Sequence, residues 1–335
     1  MKLVTYRAGS DLRAGFILGD RIVDIERGLR ALDASGGKIP SPADVTHRYG
    51  STVVDLIARG SMDRVREVEV AAINSRLAEC VDEQSTYLPI GSTSLAAPIP
   101  EPPSMRDGYA FRQHVETARR NRGLEMIPEF DQFPVFYFTN HLGVTGPGDV
   151  YVEEQHCERL DYELEAAVVL GSSGRTFTVK QADDAIFGLL IMNDWSARAL
   201  QMEEMKLSLG PAKGKDFATS LGPHLVTVDE LAPYTRQTDR GRVFDLGMRA
   251  FVNGTHLSTG NLSNMTWTFA EIIARASYGV SLRAGEVIGS GTCGTGCLLE
   301  LNGSKVTNNL WLKPGDEVVL EVDHLGKLVN RIVKR

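Results

Sequence analysis

The sequence predicts an α+β fold in which largely antiparallel strands outnumber helices. Three observations lead there. Strand-like segments dominate the chain, no regular strand–helix–strand alternation appears, and Pro89, Pro98, Pro100, Pro102 and Pro103 divide the sequence in a stretch with little periodicity. The division separates a small N-terminal mainly-β part, residues 1–100 with its helical connection and proline-rich linker, from a larger part, residues 101–335.

Taken in order, residues 2–6, 14–18 and 21–24 read as strands, with Gly19-Asp20 turning the second into the third. Between 43 and 80 apolar residues fall at helical spacing: Val53, Leu56 and Ile57, then Val65, Val68, Val70, Ile73 and Leu77. Beyond the prolines, 111–122 reads as a short polar helix or loop and 133–140 as a strand. Residues 160–171 form an apolar strand ending in Gly171. A helix is expected over 182–190, leading into Ile191-Met192-Asn193-Asp194. Strands are expected at 225–228, 248–253, 287–288, 298–301, 318–322 and 328–333, and a helix at 267–278. His324-Leu325-Gly326-Lys327 turns the last strand pair.

Bulk properties narrow the function. The 335 residues are 42% hydrophobic and 24% charged with a formal net charge of -7, which fits a soluble globular protein and argues against nucleic-acid binding. No apolar run approaches a membrane span or a signal-peptide core. Four cysteines are too few for a disulfide framework, so the chain is read as cytoplasmic with reduced thiols.

The chemistry begins at Asp161-Tyr162-Glu163-Leu164-Glu165. Residues two apart on a strand share a face, so Glu163 and Glu165 leave an apolar segment side by side. Two carboxylates withdrawn from water repel unless a cation sits between them. Asp107, Asp194 and Glu300 are further carboxylates beside apolar segments. A cap or salt bridge accounts for any one of them alone, but together with the pair they point to a bound ion. An all-oxygen set suits Mg²⁺, Ca²⁺ or Mn²⁺, not zinc. Cys293-x-x-x-Cys297 lacks a second ligand pair for zinc. Gly289-Ser290-Gly291-Thr292-Cys293-Gly294 fits a dinucleotide pattern without a following helix, and Gly210 to Lys215 falls one residue short of a P-loop.

These pieces resemble the fumarylacetoacetate hydrolase family. The resemblance rests on Asp161 to Glu165, on Asn193-Asp194-Trp195-Ser196-Ala197-Arg198, on Leu209 to Phe217 and on Gly289-Ser290-Gly291-Thr292. It implies a mixed β-sandwich roll, an SH3-like N-terminal barrel and a homodimer. It implies a divalent cation, Mg²⁺ or Ca²⁺ with Mn²⁺ as a further candidate, held by Asp107, Glu163, Glu165 and Asp194. It implies substrate contacts from Tyr109, Arg198, Gln201, Lys215 and Thr292, and one from Arg119, Arg120 or Arg122. It implies a water-activating His114 held by Glu300.

The reaction expected from the resemblance is cleavage of a carbon–carbon bond in a 1,3-diketo acid, fumarylacetoacetate first, as in aromatic amino-acid breakdown. Lys215 and Gln201 would stabilise charge on the leaving fragment, and the guanidinium fork of Arg198 would bind a substrate carboxylate. Acylpyruvate hydrolysis, oxaloacetate decarboxylation and dienoate isomerisation remain alternatives on the same scaffold. A metal-stabilised binding module without activity is the remaining reading.

Overall fold

The computed structural model describes residues 1–34 and 38–335. The chain opens with β1 (Lys2–Ala8), β2 (Asp11–Leu18) and β3 (Arg21–Asp24), followed by α1 (Ile25–Leu32), α2 (Pro42–Tyr49), α3 (Val53–Ala58) and α4 (Met62–Ile73). Local chemistry sets the helix starts. Ser41 and Asp44 cap α2 reciprocally with Pro42 in its first turn, and Thr52 and Asp55 do the same for α3. Next come β4 (Tyr87–Pro89), β5 (Met105–Gly108), α5 (Arg112–Arg120), β6 (Phe136–Phe138), β7 (Gly148–Val152), β8 (Leu164–Leu170) and α6 (Val179–Asp184). The chain continues through β9 (Ile186–Asp194), α7 (Arg198–Met205), β10 (Thr219–Thr227), β11 (Gly247–Val252) and β12 (Thr255–Asn261). It finishes with α8 (Phe269–Ser277), β13 (Val287–Gly289), α9 (Leu298–Gly303), β14 (Glu317–Val322) and β15 (Gly326–Lys334).

Ten strands of a twelve-stranded sheet run β4-β3-β2-β1-β10-β9-β8-β13-β5-β6, with the short strands Leu95–Ala96 beside β1 and Val144–Thr145 beside β10 as the other two, and a five-stranded sheet runs β7-β15-β14-β11-β12. Strand β8 is buried along its whole length, and its two faces enter different cores. Leu164, Ala166, Val168 and Leu170 pack with Met248, Ala250, Val318 and Leu320 of the second sheet. Ala167 and Val169 join Leu3, Phe16, Val53 and Leu56 of the N-terminal part. Each fully buried Val or Leu contributes about 1.5–3 kcal/mol, so β8 anchors both layers.

Several expectations need correction. Residues 182–190 are not one helix: α6 ends at Asp184 and β9 starts at Ile186. A strand apolar on both faces shows no period of two, which is why the run did not declare itself. Residues 298–301 form the start of helix α9, with Leu298 and Leu301 turned into the core three residues apart. Only Phe136–Phe138 of the 133–140 segment is a strand, and α1 carried no sequence assignment. The N-terminal strands, extended by β4 beside β3 and Leu95–Ala96 beside β1, are continuous with the large sheet. β1 lies antiparallel to β10, with Lys2 opposite Val226 and Leu3 opposite Leu225. The Gly19-Asp20 turn is as expected, with Leu18 opposite Arg21.

Candidate active site

The site forms where β5, β8, β9 and β13 end on the face that carries Ala167 and Val169. Glu165 shares that face by the alternation of β8, and Asp194 closes β9 with the same parity as Leu190 and Met192. β13 runs parallel to β5 with Gly289 opposite Asp107, and antiparallel to β8 with Gly289 opposite Ala167. Carboxylate oxygens of Asp107, Glu163 and Glu165 therefore lie within 4.8 Å of one another, all buried. Glu163 precedes β8, and its backbone N–H donates to Asn193 at 2.9 Å.

Asp194, the fourth expected ligand, lies outside that triplet but is joined to it by Lys215. The ammonium donates to Glu163 Oε2 at 2.5 Å and to Asp194 Oδ2 at 2.6 Å. The Tyr137 hydroxyl donates to the same Asp194 oxygen at 2.5 Å. Among the described residues, Glu165 Oε2 and Asp194 Oδ1 are buried with no hydrogen-bond partner. Unpartnered carboxylate oxygens in a dry, hard-oxygen cluster are what a divalent cation would satisfy, so the donor set fits Mg²⁺, Ca²⁺ or Mn²⁺.

The electrostatics agree. Burial, then the Asp194 charge, pushes the Asp107 carboxyl up to about 7. Burial and then Asp107 hold the Glu165 carboxyl well above its usual range. Burial acts on Glu163 in the same sense, but Lys215 and Arg198 outweigh it and its carboxyl is lowered. Burial disfavours the Lys215 ammonium, yet Asp194 and Glu163 keep it protonated, above its ordinary value. Protons on Asp107 and Glu165 compete with an ion. Affinity for Mg²⁺ is therefore expected to tighten as pH rises through about 7, by up to tenfold per unit for each proton displaced. Calorimetric titration at several pH values checks this, and a flat profile would contradict it.

The expected acid–base pair is in contact. His114 on α5 and Glu300 on α9 meet through His114 Nδ1 and Glu300 Oε2 at 2.7 Å, both buried. The Tyr109 ring stands edge-on to the imidazole with centroids 6.0 Å apart. Thr292 donates to Glu165 Oε1 at 3.3 Å. Arg198 is clamped: Nε donates to Asp161 at 2.9 Å, and the terminal nitrogens to Gln201 Oε1 at 2.9 Å and Glu163 at 2.7 Å. Of its five N–H groups, these bonds leave two. Of the arginines at the end of the α5 region, Arg122 adds a positive charge that offsets part of the rise that burial gives the Tyr109 phenol.

Three contributors were not singled out from sequence. Asp161 accepts from Arg198 and from the backbone N–H groups of Leu298 and Leu299, tying α9 to the Arg198 cluster. Its signal was its spacing, two residues before Glu163. Tyr137 lay hidden in an aromatic run. Glu204 on α7 accepts from the N–H groups of Ala212 at 2.8 Å and Gly214 at 3.2 Å, fixing the loop that delivers Lys215.

The glycines of the dinucleotide-like stretch have a packing reason. A Cβ on Gly289 would stand 2.3 Å from Asp107 Oδ1, and Gly291, at φ +77°, would meet Gly108 O at 2.7 Å. Gly289→Ala is expected to displace the Asp107 carboxylate and weaken Mg²⁺ binding by roughly 10–100-fold, the range for groups that orient a ligand. Titration with Mg²⁺ would expose the error if affinity were unchanged.

Comparison with known proteins gives the family and the fold. Residues 104–333 match the family profile for the C-terminal region of fumarylacetoacetate hydrolase. The chain is 31% identical over 258 residues to the oxaloacetate tautomerase YisK of Bacillus subtilis, covering 75% of this chain and 77% of that protein. It is 34% identical over 209 residues to a fumarylacetoacetase of Oryza sativa subsp. japonica, covering 52% of this chain and 48% of that enzyme, so the match spans about half the relative's length. Among solved structures, it superposes on maleylpyruvate hydrolase from Sphingobium sp. SYK-6, in complex with manganese(II) ion and pyruvate, with a TM-score of 0.67. Sequence identity to that protein is 21%, with 100% of this chain and 99% of that one covered. Among the described residues no helix is long and apolar enough to cross a membrane.

Proposed function

The chain belongs to the fumarylacetoacetate hydrolase family, and from that premise we propose that it hydrolyses a carbon–carbon bond in a 1,3-diketo acid, with fumarylacetoacetate the leading candidate. The observation that carries the reading is the His114–Glu300 pair, bonded at 2.7 Å beside the acidic cluster. Asp107, Glu163, Glu165 and Asp194 would hold the divalent cation. When bound, that ion supplies polarisation of the carbonyl under attack and stabilisation of the departing enolate.

The chain's own groups do the rest. Glu300 holds Nδ1 of His114, which leaves Nε2 to take a proton from water and later return it to the leaving carbon. Glu300 also stabilises the imidazolium while the proton is held. Lys215 stays charged because of its two carboxylates, and it provides a fixed donor for negative charge on the leaving fragment. Gln201 gives its carbonyl oxygen to Arg198, so among the described residues its amide N–H groups remain free for the same purpose. Arg198 and Arg122 are the candidates for substrate carboxylates.

Oxaloacetate keto–enol exchange is the second reading, favoured by the similarity to the B. subtilis tautomerase. It needs proton transfer but no attacking water. Purified protein assayed on fumarylacetoacetate, acylpyruvates and oxaloacetate, with and without chelator, separates the two. Chelator-sensitive cleavage of a diketo acid is expected. Enol–keto exchange without cleavage would favour the second reading, and activity indifferent to chelator would overturn both.

A further inference from the structure

A second ligand cluster sits beside the acidic one and differs from it in chemistry. His114, Cys297 and Glu300 each offer a ligand atom, and these atoms lie within 4.8 Å of one another. All three residues are buried, Cys297 completely. Cys297 and Glu300 stand three residues apart at the start of α9, and His114 is brought to them by α5, so the sequence spacing announces two of the three and not the third. One nitrogen, one sulfur and one carboxylate oxygen form a borderline-soft set. That set suits Zn²⁺ or Co²⁺ and is a poor match for Mg²⁺ or Ca²⁺, which take oxygen.

We infer that His114, Cys297 and Glu300 form a site for a thiophilic divalent cation such as Zn²⁺, distinct from the hard-ion site, and that its occupation silences the base. Bonds of about 2.0–2.3 Å place neighbouring ligand atoms roughly 3.3–3.8 Å apart, so the present spacing needs only small side-chain movements. Three protein ligands leave the fourth tetrahedral position to water. On capture the Cys297 S–H bond breaks, its proton passes to solvent, and a metal–sulfur bond forms. The proton on His114 Nδ1 shifts to Nε2, Nδ1 gives its lone pair to the ion, and the ring then has no free nitrogen to accept a proton. Burial, reinforced by Asp161, opposes the free thiolate. The thiolate therefore forms with the ion and not before it, and capture is coupled to release of that proton.

The inhibitory consequence rests on the role proposed for His114 above, whereas the site itself does not, and its test uses no turnover. Protein saturated with Mg²⁺, so that the oxygen site is filled, is titrated with Co²⁺. Near-ultraviolet absorption from thiolate-to-cobalt charge transfer is expected at about one equivalent. Cys297→Ser should abolish that band and weaken Co²⁺ binding on the order of 10²-fold, at or beyond the top of the range for outer-shell changes. Cys293→Ser should retain it. Should Cys297→Ser not fold, Zn²⁺ calorimetry of the unaltered Mg²⁺-loaded protein in two buffers of different ionisation enthalpy reads the same event as release of about one proton per ion. Absence of a thiolate band with no proton release, or a band that survives in folded Cys297→Ser, overturns the inference.

Discussion

Turnover of a diketo acid is expected to fall by roughly 10²–10⁴ in His114→Ala, the usual contribution of a positioned general base, while Mg²⁺ affinity stays close to its original value. The imidazole is held by Glu300 and does not belong to the oxygen triplet of Asp107, Glu163 and Glu165. Removing it therefore takes away the proton acceptor without removing a hard-ion ligand. Glu300→Gln should give a smaller loss, because the ring keeps a hydrogen-bonding neighbour but loses the charge that stabilises the imidazolium. Steady-state kinetics paired with calorimetric Mg²⁺ titration makes the separation visible. Unchanged turnover would remove His114 from the mechanism, and a lost Mg²⁺ response would mean that the two clusters are not separable.

Lys215→Met is expected to act on stability and activity in different ways. The ammonium is buried between Glu163 and Asp194, and removing one member of a buried ion pair costs about 3–5 kcal/mol. With chelator present, denaturant unfolding should show a loss of that order. The loss should be greater near about pH 8 than near about pH 5. Without the lysine the two carboxyls hold protons more tightly folded than unfolded, and that contribution disappears as pH rises through their folded values. Excess Mg²⁺ should return much of the stability, because the ion neutralises the same charges. It should not return turnover, expected to stay about 10²–10³-fold down through loss of a fixed donor. Equal stability of variant and parent in chelator would show that the lysine is not the internal counter-charge.

Much of this site was legible because its chemistry is unusual for its setting. Carboxylates inside apolar strands are costly, so Glu163, Glu165 and Asp194 stood out, and alternation along β8 put Glu165 on the correct face. The aromatic Tyr137 and the two-residue offset of Asp161 carried little signal, since neither breaks a pattern. Secondary structure failed where the pattern was uniform. The run from Ile186 to Met192 is buried on both sides and reads equally as helix or strand, and four residues at 298–301 are too few to show a period. The meeting of Cys297 with His114 depends on how α5 packs against α9, which no local spacing encodes. The joining of β1 to β10 was equally invisible, because hydrogen bonds between distant strands leave no compositional trace.

That last contact limits how the region matching the family profile could be transplanted. Strand β10 has β9 on one side and β1 on the other, and the odd face of β8 is covered by side chains from the first third of the chain. A recombinant swap that grafts a foreign leader onto residues 104–333 must therefore supply a strand of matching register and an apolar lid of matching shape. In this chain the profile-matching region therefore shares one sheet and one core with the opening strands, and the two form a single architectural unit.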